Sequence, residues 1–187
     1  MSASTSLVEA LRISVVPAVA LTGAQTEAMA RHYELLLRWN RKLSLTTVTD
    51  PAEAAVRHYG ESAFLAQYLT GTTVVDIGSG AGFPGVPAAI CRPDLRFDLV
   101  ESNQRKAVFL RECSRGMPNV RVLGIRAEEV SDRYDWLVSR AVAVDELLRL
   151  SLAGERGLLI GAEDAAELSG FDVIPLPWGD RRVLAIG

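Results

Sequence analysis

The 187-residue sequence predicts an α/β fold in which a helical N-terminal extension precedes a seven-stranded, mostly parallel sheet. Three observations lead to this prediction. Residues 1–70 carry apolar side chains at helical spacing, and from Thr72 onward short β-branched or apolar runs alternate with helical stretches. The last two runs follow each other across a turn-rich link. The alternation indicates a parallel sheet with helices on both faces, and the direct link indicates an antiparallel pair at one edge.

The first helix of the extension is predicted from the segment TGAQTEAMARHYELLLRWNRKL. Its residues recur at three-to-four spacing, which places one set on a single helix face. These residues are Met29, Tyr33, Leu36, Leu37, Asn40 and Leu43. Thr22 or Gly23 is expected to start the helix.

A second helical segment is predicted from TDPAEAAVRHYGESAFLAQYL. Asp50 has the character of an N-cap, Pro51 suits the first turn, and Glu53 lies three residues after the cap. Gly60 is expected to separate two helical pieces. We therefore expect residues 1–70 to form an extension packed on a core of residues 71–187.

The core is predicted to contain seven strands and three helices. The strands are expected near 73–77, 96–101, 120–124, 134–139, 157–160, 171–176 and 182–186. The helices are expected near 84–91, 103–115 and 144–152, with Asn103 as a cap of the second. A seven-stranded sheet whose last strand inserts antiparallel to the rest is similar to that of the class I methyltransferases, and an ordinary dinucleotide-binding domain lacks this hairpin.

Composition excludes several classes of protein. Apolar residues make up 49% of the chain, but no run approaches the roughly 20 residues of a membrane span. No signal peptide is recognisable, and two cysteines are too few for a disulfide framework. We expect a soluble, cytoplasmic protein with reduced thiols and no metal site. The formal net charge of −3 does not by itself indicate a nucleic-acid partner.

The strongest motif is VVDIGSGAGFPG, which includes the first predicted strand and the turn after it. It contains G-x-G-x-x-G at Gly80, Gly82 and Gly85, preceded by Gly78. Such a turn lets the backbone approach a ligand and directs helix N–H groups toward it. A tight turn without a ligand remains the simpler interpretation of the glycines alone.

Neighbouring residues favour one cofactor. Asp76 ends the first strand, where a carboxylate would repel a pyrophosphate but could face an ammonium group, directly or through water. Pro84 lacks an N–H that a phosphate could use. Glu101 ends the second strand and could accept hydrogen bonds from both ribose hydroxyls, whichever cofactor carries the ribose. Together they favour S-adenosylmethionine over a nicotinamide dinucleotide, and a dehydrogenase is the most distant alternative.

The end of the fourth strand, in the segment WLVSRAVA, indicates the type of methyl acceptor. The Asn/Asp-Pro-Pro-aromatic motif of exocyclic amine methylation is absent, and Cys91 and Cys113 do not match a cytosine C5 nucleophile. No general base lies close to Arg140 in the sequence. Guanine N7 fits best, because its lone pair is free and no proton must leave. Arg140 would hold a carboxylate, a phosphate or the guanine O6, unless it makes only a structural ion pair.

The sequence resembles the bacterial 16S ribosomal RNA guanine-N7 methyltransferases, also called glucose-inhibited division B proteins (RsmG). The matching segments span about residues 35–145. They are LLLRWNRKLSLTTVTDPAEAAVRHYGES, VVDIGSGAGFPGVPAAICRPD, ESNQRKAVFLRE, RAEEV and VSRAVA. The pairing of RWN…LT…RH with DIGSGAGFPG is more specific than a general methyltransferase motif.

The resemblance implies methyl transfer from S-adenosylmethionine to a guanine N7 in small-subunit ribosomal RNA, by a chain expected to be a monomer. The implied catalytic residues are Arg126 and Arg140. The cofactor-binding residues, taking motif and resemblance together, are Asp76, Gly78, Gly80, Gly82, Phe83, Glu101, Ala127, Glu128 and Arg140. The implied RNA-facing residues are Arg38, Arg41, Lys42, Arg57 and His58. A solvated helix face is the alternative for these cations, and capping or helix packing is the alternative for His58.

The sequence departs from the family in three places. Ser44 stands where Asn is usual, the chain is short after the fifth strand, and Gly161 stands where a lysine is usual. Glu163 and Asp164 come shortly after Gly161, which weakens the electrostatic attraction for RNA at that position. Two alternatives therefore stay open: a methyltransferase with a different substrate, and a regulatory or assembly protein that binds the cofactor without efficient catalysis.

Overall fold

The computed structural model describes residues 2–140 and 142–187, and at Asp180 it describes the backbone alone. Ala141, within the VSRAVA segment, lies outside the described residues. The seven strands form one sheet in the order β3-β2-β1-β4-β5-β7-β6. The chain has an α/β architecture with helices on both faces of a mixed sheet, as the sequence predicts.

The N-terminal extension begins with two helices. Helix α1 spans Ala3–Ser14, and α2 spans Gly23–Asn40. Thr22 is the N-cap of α2, and its hydroxyl accepts a hydrogen bond from the Gln25 backbone N–H (3.2 Å). The Gln25 side chain accepts in return from the Thr22 N–H (2.8 Å), which completes a capping box. The predicted start of this helix is confirmed.

The second helical segment is continuous from Pro51 to Ala66. It comprises α3 (Pro51–Ala54), a π-helical turn (Ala55–Gly60) and α4 (Glu61–Ala66). Asp50 caps it as predicted, since its Oδ1 accepts from Ala52 N (3.0 Å) and Glu53 N (2.9 Å). The prediction that Gly60 separates two helical pieces is wrong. A Cβ at Gly60 would lie 3.1 Å from both Trp178 Cη2 and Val15 Cγ2, so these two side chains pack closely against the glycine.

The core alternates strands and helices from Thr73 onward. The strands are β1 (Thr73–Ile77), β2 (Arg96–Val100), β3 (Val120–Leu123), β4 (Tyr134–Ser139), β5 (Ala153–Gly161), β6 (Asp172–Leu176) and β7 (Gly179–Ile186). The helices are α5 (Gly85–Cys91), α6 (Gln104–Cys113), α7 (Val144–Arg149) and α8 (Ala162–Ala166), with a 3₁₀ turn at Ala127–Glu129. Helix α8 and the first residues of β5 were not predicted. The predicted Asn103 cap is confirmed by its acceptance of the Arg105 (3.0 Å) and Lys106 (3.2 Å) N–H groups.

The predicted terminal hairpin is also confirmed. Strands β6 and β7 pair antiparallel, and β7 lies between β6 and β5, to which it is likewise antiparallel. All other strand pairs are parallel. No described helix combines the length and apolar character that a membrane span requires.

Apolar side chains bury both faces of the sheet. On one face, Leu11, Met29 and Tyr33 of the extension share a cluster with Phe97 and Leu99 of β2. The other face carries a second cluster on the side of α7 and α8. The extension therefore covers one face of the sheet and fixes the position of the loops at its edge.

Candidate active site

The carboxyl ends of β1, β2 and β4 meet at one edge of the sheet. Strand β1 pairs with β2 on one side and with β4 on the other, so the direction of chain progression reverses at β1. In open α/β sheets, ligands bind in the crevice that forms at such a reversal. The glycine loop follows β1 at this point.

The glycine loop adopts a backbone that side chains rarely tolerate. Gly78, Gly80 and Gly82 have positive φ values of 71°, 54° and 89°. A Cβ on Gly78 would overlap Val142 Cγ2, and one on Gly82 would lie 2.8 Å from Val86 Cγ2. Glycine is therefore required at Gly78 and Gly82 both for conformation and for space.

Asp76 lies beneath the loop rather than on its surface. Its side chain is fully buried, and Oδ2 accepts from the Gly85 N–H at the start of α5 (3.0 Å). Oδ1 is buried without a hydrogen-bond partner among the described residues. Burial raises the pKa of Asp76 to about 7. Asp76 thus anchors the loop to α5, and Pro84, predicted in the first turn, is the residue just before that helix.

Glu101 ties the loop to the end of β2. Its Oε2 accepts from Gly80 N (3.0 Å), and its Oε1 accepts from Asn103 N (2.8 Å). Each carboxylate oxygen has capacity for a second hydrogen bond. Backbone N–H groups therefore hold both oxygens in place. The side chain is 8% exposed, so a small part of it remains accessible to a ligand.

Glu101 faces a cavity of about 210 Å³, which we call the Glu101 cavity. Four of the expected cofactor-binding residues line it, Gly78, Glu101, Ala127 and Glu128, together with Arg126, which was expected to be catalytic. The 3₁₀ turn that carries Ala127 and Glu128 is closed by Glu129, whose Oε1 accepts from Arg126 N (2.8 Å). The structure therefore brings together residues that are far apart in the sequence, from Gly78 to Glu128.

Arg140 directly follows β4 and is not among the described residues that line the Glu101 cavity. It lines a larger cavity of about 610 Å³, the Arg140 cavity, together with Gly161 and Arg182. Val142 lines both cavities, so they are adjacent. The two arginines expected to be catalytic, Arg126 and Arg140, are thus on different sides of Val142.

The Arg140 guanidinium is held by the extension. Its Nη1 donates to the Arg57 carbonyl (2.5 Å) and to His58 Nδ1 (2.9 Å). Its Cζ lies 5.3 Å from the centroid of the Phe83 ring. Burial lowers the pKa of Arg140 to about 10, which leaves the side chain charged at neutral pH.

His58 continues this hydrogen-bonded chain into the extension. Because Nδ1 accepts from Arg140, a neutral ring carries its proton on Nε2, which donates to Thr46 Oγ1 (2.8 Å). The loop bearing Thr46 is held by Asn40, whose Oδ1 accepts from Thr46 N (3.0 Å) and whose Nδ2 donates to Thr46 O (2.9 Å). The motif RWN…LT…RH therefore builds one connected structure.

Two expected contacts are placed differently by the structure. His58 is 2% exposed, so it belongs to the packing of the extension and not to an RNA-facing surface. Phe83 is 5% exposed and stacks on His58, with ring centroids 4.3 Å apart. The Phe83 ring therefore supports Arg140 from below and lies apart from the residues of the Glu101 cavity.

The remaining expected RNA-facing residues have surface-accessible side chains. They are Arg38, Arg41, Lys42 and Arg57, all of which are exposed. Arg57 pairs with Glu53 one helical turn earlier, at 2.7 Å. The structure leaves these cations accessible, as either an RNA contact or a solvated helix face would require.

A third cavity of about 480 Å³ adjoins the Arg140 cavity and is called here the Trp178 cavity. It is lined by three arginines, Arg57, Arg181 and Arg182, and shares Gly161 and Arg182 with its neighbour. Sequence reasoning missed Arg182, which pairs with Gly161 across β5 and β7. The signal for it was the antiparallel hairpin, but its register could not be read from the sequence.

Charge differs between the two cavities that meet at Gly161. The Arg140 cavity has an acidic side formed by Asp145, Asp164 and Glu167. In the Trp178 cavity the single carboxylate among the described lining residues is Glu61, which pairs with Arg182 at 3.0 Å. The arginines are therefore concentrated in the Trp178 cavity, which borders the Arg140 cavity at Gly161.

Known proteins resemble this chain over most of its length. The family model described as rRNA small subunit methyltransferase G matches residues 25–160. Proteins named ribosomal RNA small subunit methyltransferase G are similar to this chain. One from Xanthomonas euvesicatoria is 42% identical, covering 90% of each chain. Another, from Pelotomaculum thermopropionicum, is 34% identical over 90% of this chain and 84% of its own length.

Solved structures share the fold at low sequence identity. Mitomycin 7-O-methyltransferase MmcR has a TM-score of 0.58 and 18% identity, covering 98% of this chain and 66% of its own. The 23S rRNA methyltransferase ErmE has a TM-score of 0.54 and 16% identity, covering 70% of this chain and 67% of its own. The sheet is therefore that of the class I methyltransferases.

Proposed function

Because the chain belongs to the rRNA small subunit methyltransferase G family, we propose that it transfers a methyl group from S-adenosylmethionine to N7 of a guanine in 16S ribosomal RNA. The observation that carries the proposal is the Glu101 cavity, where a glycine loop, a carboxylate at the end of β2 and the Ala127–Glu129 turn converge near Arg140. The chain is a methyltransferase by family and fold. The cofactor and the acceptor atom are the proposed parts.

The residues of the Glu101 cavity fit S-adenosylmethionine. Glu101 has capacity to accept from two ribose hydroxyls, Gly78 leaves room for the ligand, and Ala127 and Glu128 line the place of an adenine edge. When bound, the cofactor supplies a methyl group activated by a sulfonium. Asp76 contributes indirectly, because it fixes the start of α5 and hence the loop.

The Arg140 cavity fits a base that becomes cationic. The lone pair of guanine N7 forms the new bond to the methyl carbon as the bond to sulfur breaks, and no proton has to leave. Residues of the cavity therefore need to position the base and stabilise charge rather than abstract a proton. Asp145, Asp164 and Glu167 suit the positive charge that the base acquires, and Arg140, which lines the same cavity, would contact guanine O6.

RNA is the proposed partner, and the Trp178 cavity is the proposed place of its backbone. Arg57, Arg181 and Arg182 line that cavity, and arginine binds phosphate with good geometry. The accessible Arg38, Arg41 and Lys42 extend the basic surface on the N-terminal extension. A chain acting on ribosomal RNA would work as a monomer in the cytoplasm, where ribosomes assemble.

A second candidate is a methyltransferase with a different acceptor. Gly161 favours it, because this residue offers no cation where the Arg140 and Trp178 cavities meet. Arg182 lies across the strand pair from Gly161, but Glu61 already neutralises it.

Two measurements test the proposal. Calorimetry with S-adenosylmethionine and with NAD is expected to detect binding of the first alone, and tight binding of NAD alone would exclude the proposed cofactor. Transfer of labelled methyl is then measured on 16S rRNA from a strain lacking this gene, using free RNA and 30S subunits separately. Incorporation that maps to a guanine N7 supports the function. Cofactor binding without incorporation into either form of RNA would favour the second candidate.

A further inference from the structure

The N-terminal extension reaches the candidate active site through a buried histidine. His58 contacts the Arg140 guanidinium on one edge of its ring and Thr46 on the other. Both contacts are short, at 2.9 and 2.8 Å, and the ring is 2% exposed. The ring is also held by Phe83, which stacks on it at 4.3 Å.

We propose that His58 is a positioning residue, which accepts a hydrogen bond from Arg140 through Nδ1 and thereby directs the guanidinium into the Arg140 cavity. Within this arrangement Asn40 and Thr46 hold the His58 ring in one tautomer, and Phe83 holds its plane. The proposal rests on the proposed function only where its test measures the rate of methyl transfer.

The hydrogen-bond pattern supports an acceptor at Nδ1. Arginine has no acceptor atoms, so the 2.9 Å contact requires Nδ1 to be unprotonated. Burial, followed by the charge of Arg140, lowers the pKa of His58 to about 3, so the ring stays neutral at physiological pH. With Nδ1 unprotonated, the ring proton lies on Nε2 and is donated to Thr46 Oγ1, which also accepts from Val48 N (3.0 Å).

Arg140 needs such a support because few other described groups direct it. Its Nη1 also donates to the Arg57 carbonyl, and the Phe83 ring lies beneath its Cζ. Arg57 and His58 both lie in the π-helical turn Ala55–Gly60, a form of helix that is common at functional sites. The turn presents a backbone carbonyl and an imidazole to the same guanidinium nitrogen.

The tautomer of His58 is the first test, and it does not depend on methyl transfer. Nitrogen-15 NMR of the imidazole is expected to show Nε2 protonated and Nδ1 unprotonated from pH 5 to pH 8, with His32 as the internal comparison. A proton on Nδ1 would overturn the proposal, because that atom could not then accept from Arg140.

Conservative substitutions separate positioning from packing. The amide oxygen of Asn lies as many bonds from Cα as Nδ1 does, whereas the amide of Gln reaches the place of Nε2. We expect His58→Asn to keep most of the activity and His58→Gln to lower kcat roughly tenfold, because a misplaced positioning group slows the chemical step. Equal losses in variants of equal melting temperature would mean that the ring acts by packing alone.

A double-mutant cycle with Arg140 completes the test. In the Arg140→Ala background, His58→Gln is expected to cause no further loss of kcat, because its effect passes through the missing guanidinium. Additive losses would overturn the proposal. His32→Gln serves as a control for loss of a buried imidazole, since His32 Nδ1 contacts Tyr59 Oη instead (2.8 Å). If wild-type protein transfers no methyl to RNA, the proposed function fails, while the tautomer and the coupling of the two substitutions in urea unfolding still decide the role of His58.

Discussion

At the scale of single residues, Arg140 connects the extension, the glycine loop and the Arg140 cavity. It contacts His58 and the Arg57 carbonyl, lies over Phe83 and lines the Arg140 cavity. A charged donor that is fixed before the ligand arrives stabilises a reacting group without the cost of reorganisation. The position of this one side chain therefore has consequences both for catalysis and for folding.

Replacement of Arg140 by alanine is expected to lower kcat/KM for methyl transfer by roughly 10²-fold, the loss typical of one preorganised donor. The fold should remain, with a modest decrease in melting temperature, because His58 Nδ1 loses its donor. Labelled-methyl kinetics and thermal unfolding by circular dichroism provide the two readouts. Arg12→Ala is the control, since the Arg12 side chain is 72% exposed and pairs with Glu9 on the same helix. Unchanged turnover in Arg140→Ala would return Arg140 to a structural role.

The buried Asp76 carboxyl is expected to make the folding stability of the protein depend on pH. Burial raises its pKa from 3.8 to about 7, so in the folded state the carboxyl keeps its proton to higher pH than in the unfolded chain. Below pH 4 both states are protonated, and between pH 4 and 7 the unfolded state ionises first. The contribution of Asp76 to stability is therefore present at low pH and is lost as pH rises to about 7.

The Asp76→Asn variant removes this titration. We expect its free energy of unfolding, relative to wild type, to increase as pH rises from 4.5 to 7.5. Urea unfolding of both proteins across this range measures the difference. His32 and His58 titrate in the opposite sense, because burial lowers their pKa values to about 4 and about 3, but they are common to both proteins and cancel. A difference that does not vary with pH would contradict the prediction.

The sequence predicts some of these residues well and others poorly, for a physical reason. Gly78, Gly80 and Glu101 belong to motifs whose chemistry is local to a strand end, so their convergence at one edge follows from the parallel order. The contact of His58 with Arg140 joins residues 82 positions apart and depends on how the extension packs. His58 is buried within the extension, as helix packing would require, yet periodicity could not reveal its partner.

At the scale of elements, the glycine loop and the segment after β4 share a steric boundary. A Cβ on Gly78 would overlap Val142 Cγ2, and φ at Gly78 is +71°. Gly78 and Val142 both line the Glu101 cavity, and Val142 also lines the Arg140 cavity. The shape of the Glu101 cavity therefore depends on the absence of a side chain at one loop residue.

Substitution of Gly78 by alanine is expected to weaken binding of S-adenosylmethionine by at least about tenfold, since both the backbone strain and the overlap with Val142 reshape the loop. Calorimetry provides the dissociation constant. The double variant Gly78→Ala with Val142→Ala should recover part of the affinity, because it removes the overlap but not the strain. Gly154→Ala is the matched control, as no atom lies within 4 Å of its added Cβ. Unchanged affinity in Gly78→Ala would separate this loop from the cofactor site.

Helices and strands were predicted best where the sequence shows a helix-capping residue or a regular alternation of strand and helix segments. Thr22, Asp50 and Asn103 cap their helices as expected, and each predicted strand is present. Gly60 was misread because Trp178 and Val15, which pack closely against it, are distant in sequence. Helix α8 escaped prediction because five residues are too few to show a helical period.

At the scale of the whole molecule, polar links join the extension to the core at several separate places. Trp39 Nε1 donates to Glu112 Oε2 (3.1 Å), and Trp178 Nε1 donates to the Ser14 carbonyl (2.6 Å). Arg182 pairs with Glu61 at 3.0 Å. The same apolar cluster contains residues of α1, α2, β1 and β2. The extension therefore buries its apolar side chains in one cluster with those of the core, and loss of the core would expose them.

We therefore propose that residues 1–70 and 71–187 unfold together, so that the active site is lost when the extension detaches. Urea unfolding followed by far-UV circular dichroism and by tryptophan fluorescence should give one coincident transition, because Trp39 lies in the extension and Trp136 in β4. Native-state hydrogen exchange should assign the most protected amides of α2 and β4 the same opening free energy.

As a perturbation, Glu61→Gln should shift the single transition to lower urea without splitting it, since it weakens the link to Arg182 from the extension side. Glu9→Gln, on the exposed face of α1, should leave the midpoint unchanged. Protection of β4 that persists after α2 has exchanged would mean that the extension is a separately stable layer, and the support of Arg140 by His58 would then be reversible without unfolding the core.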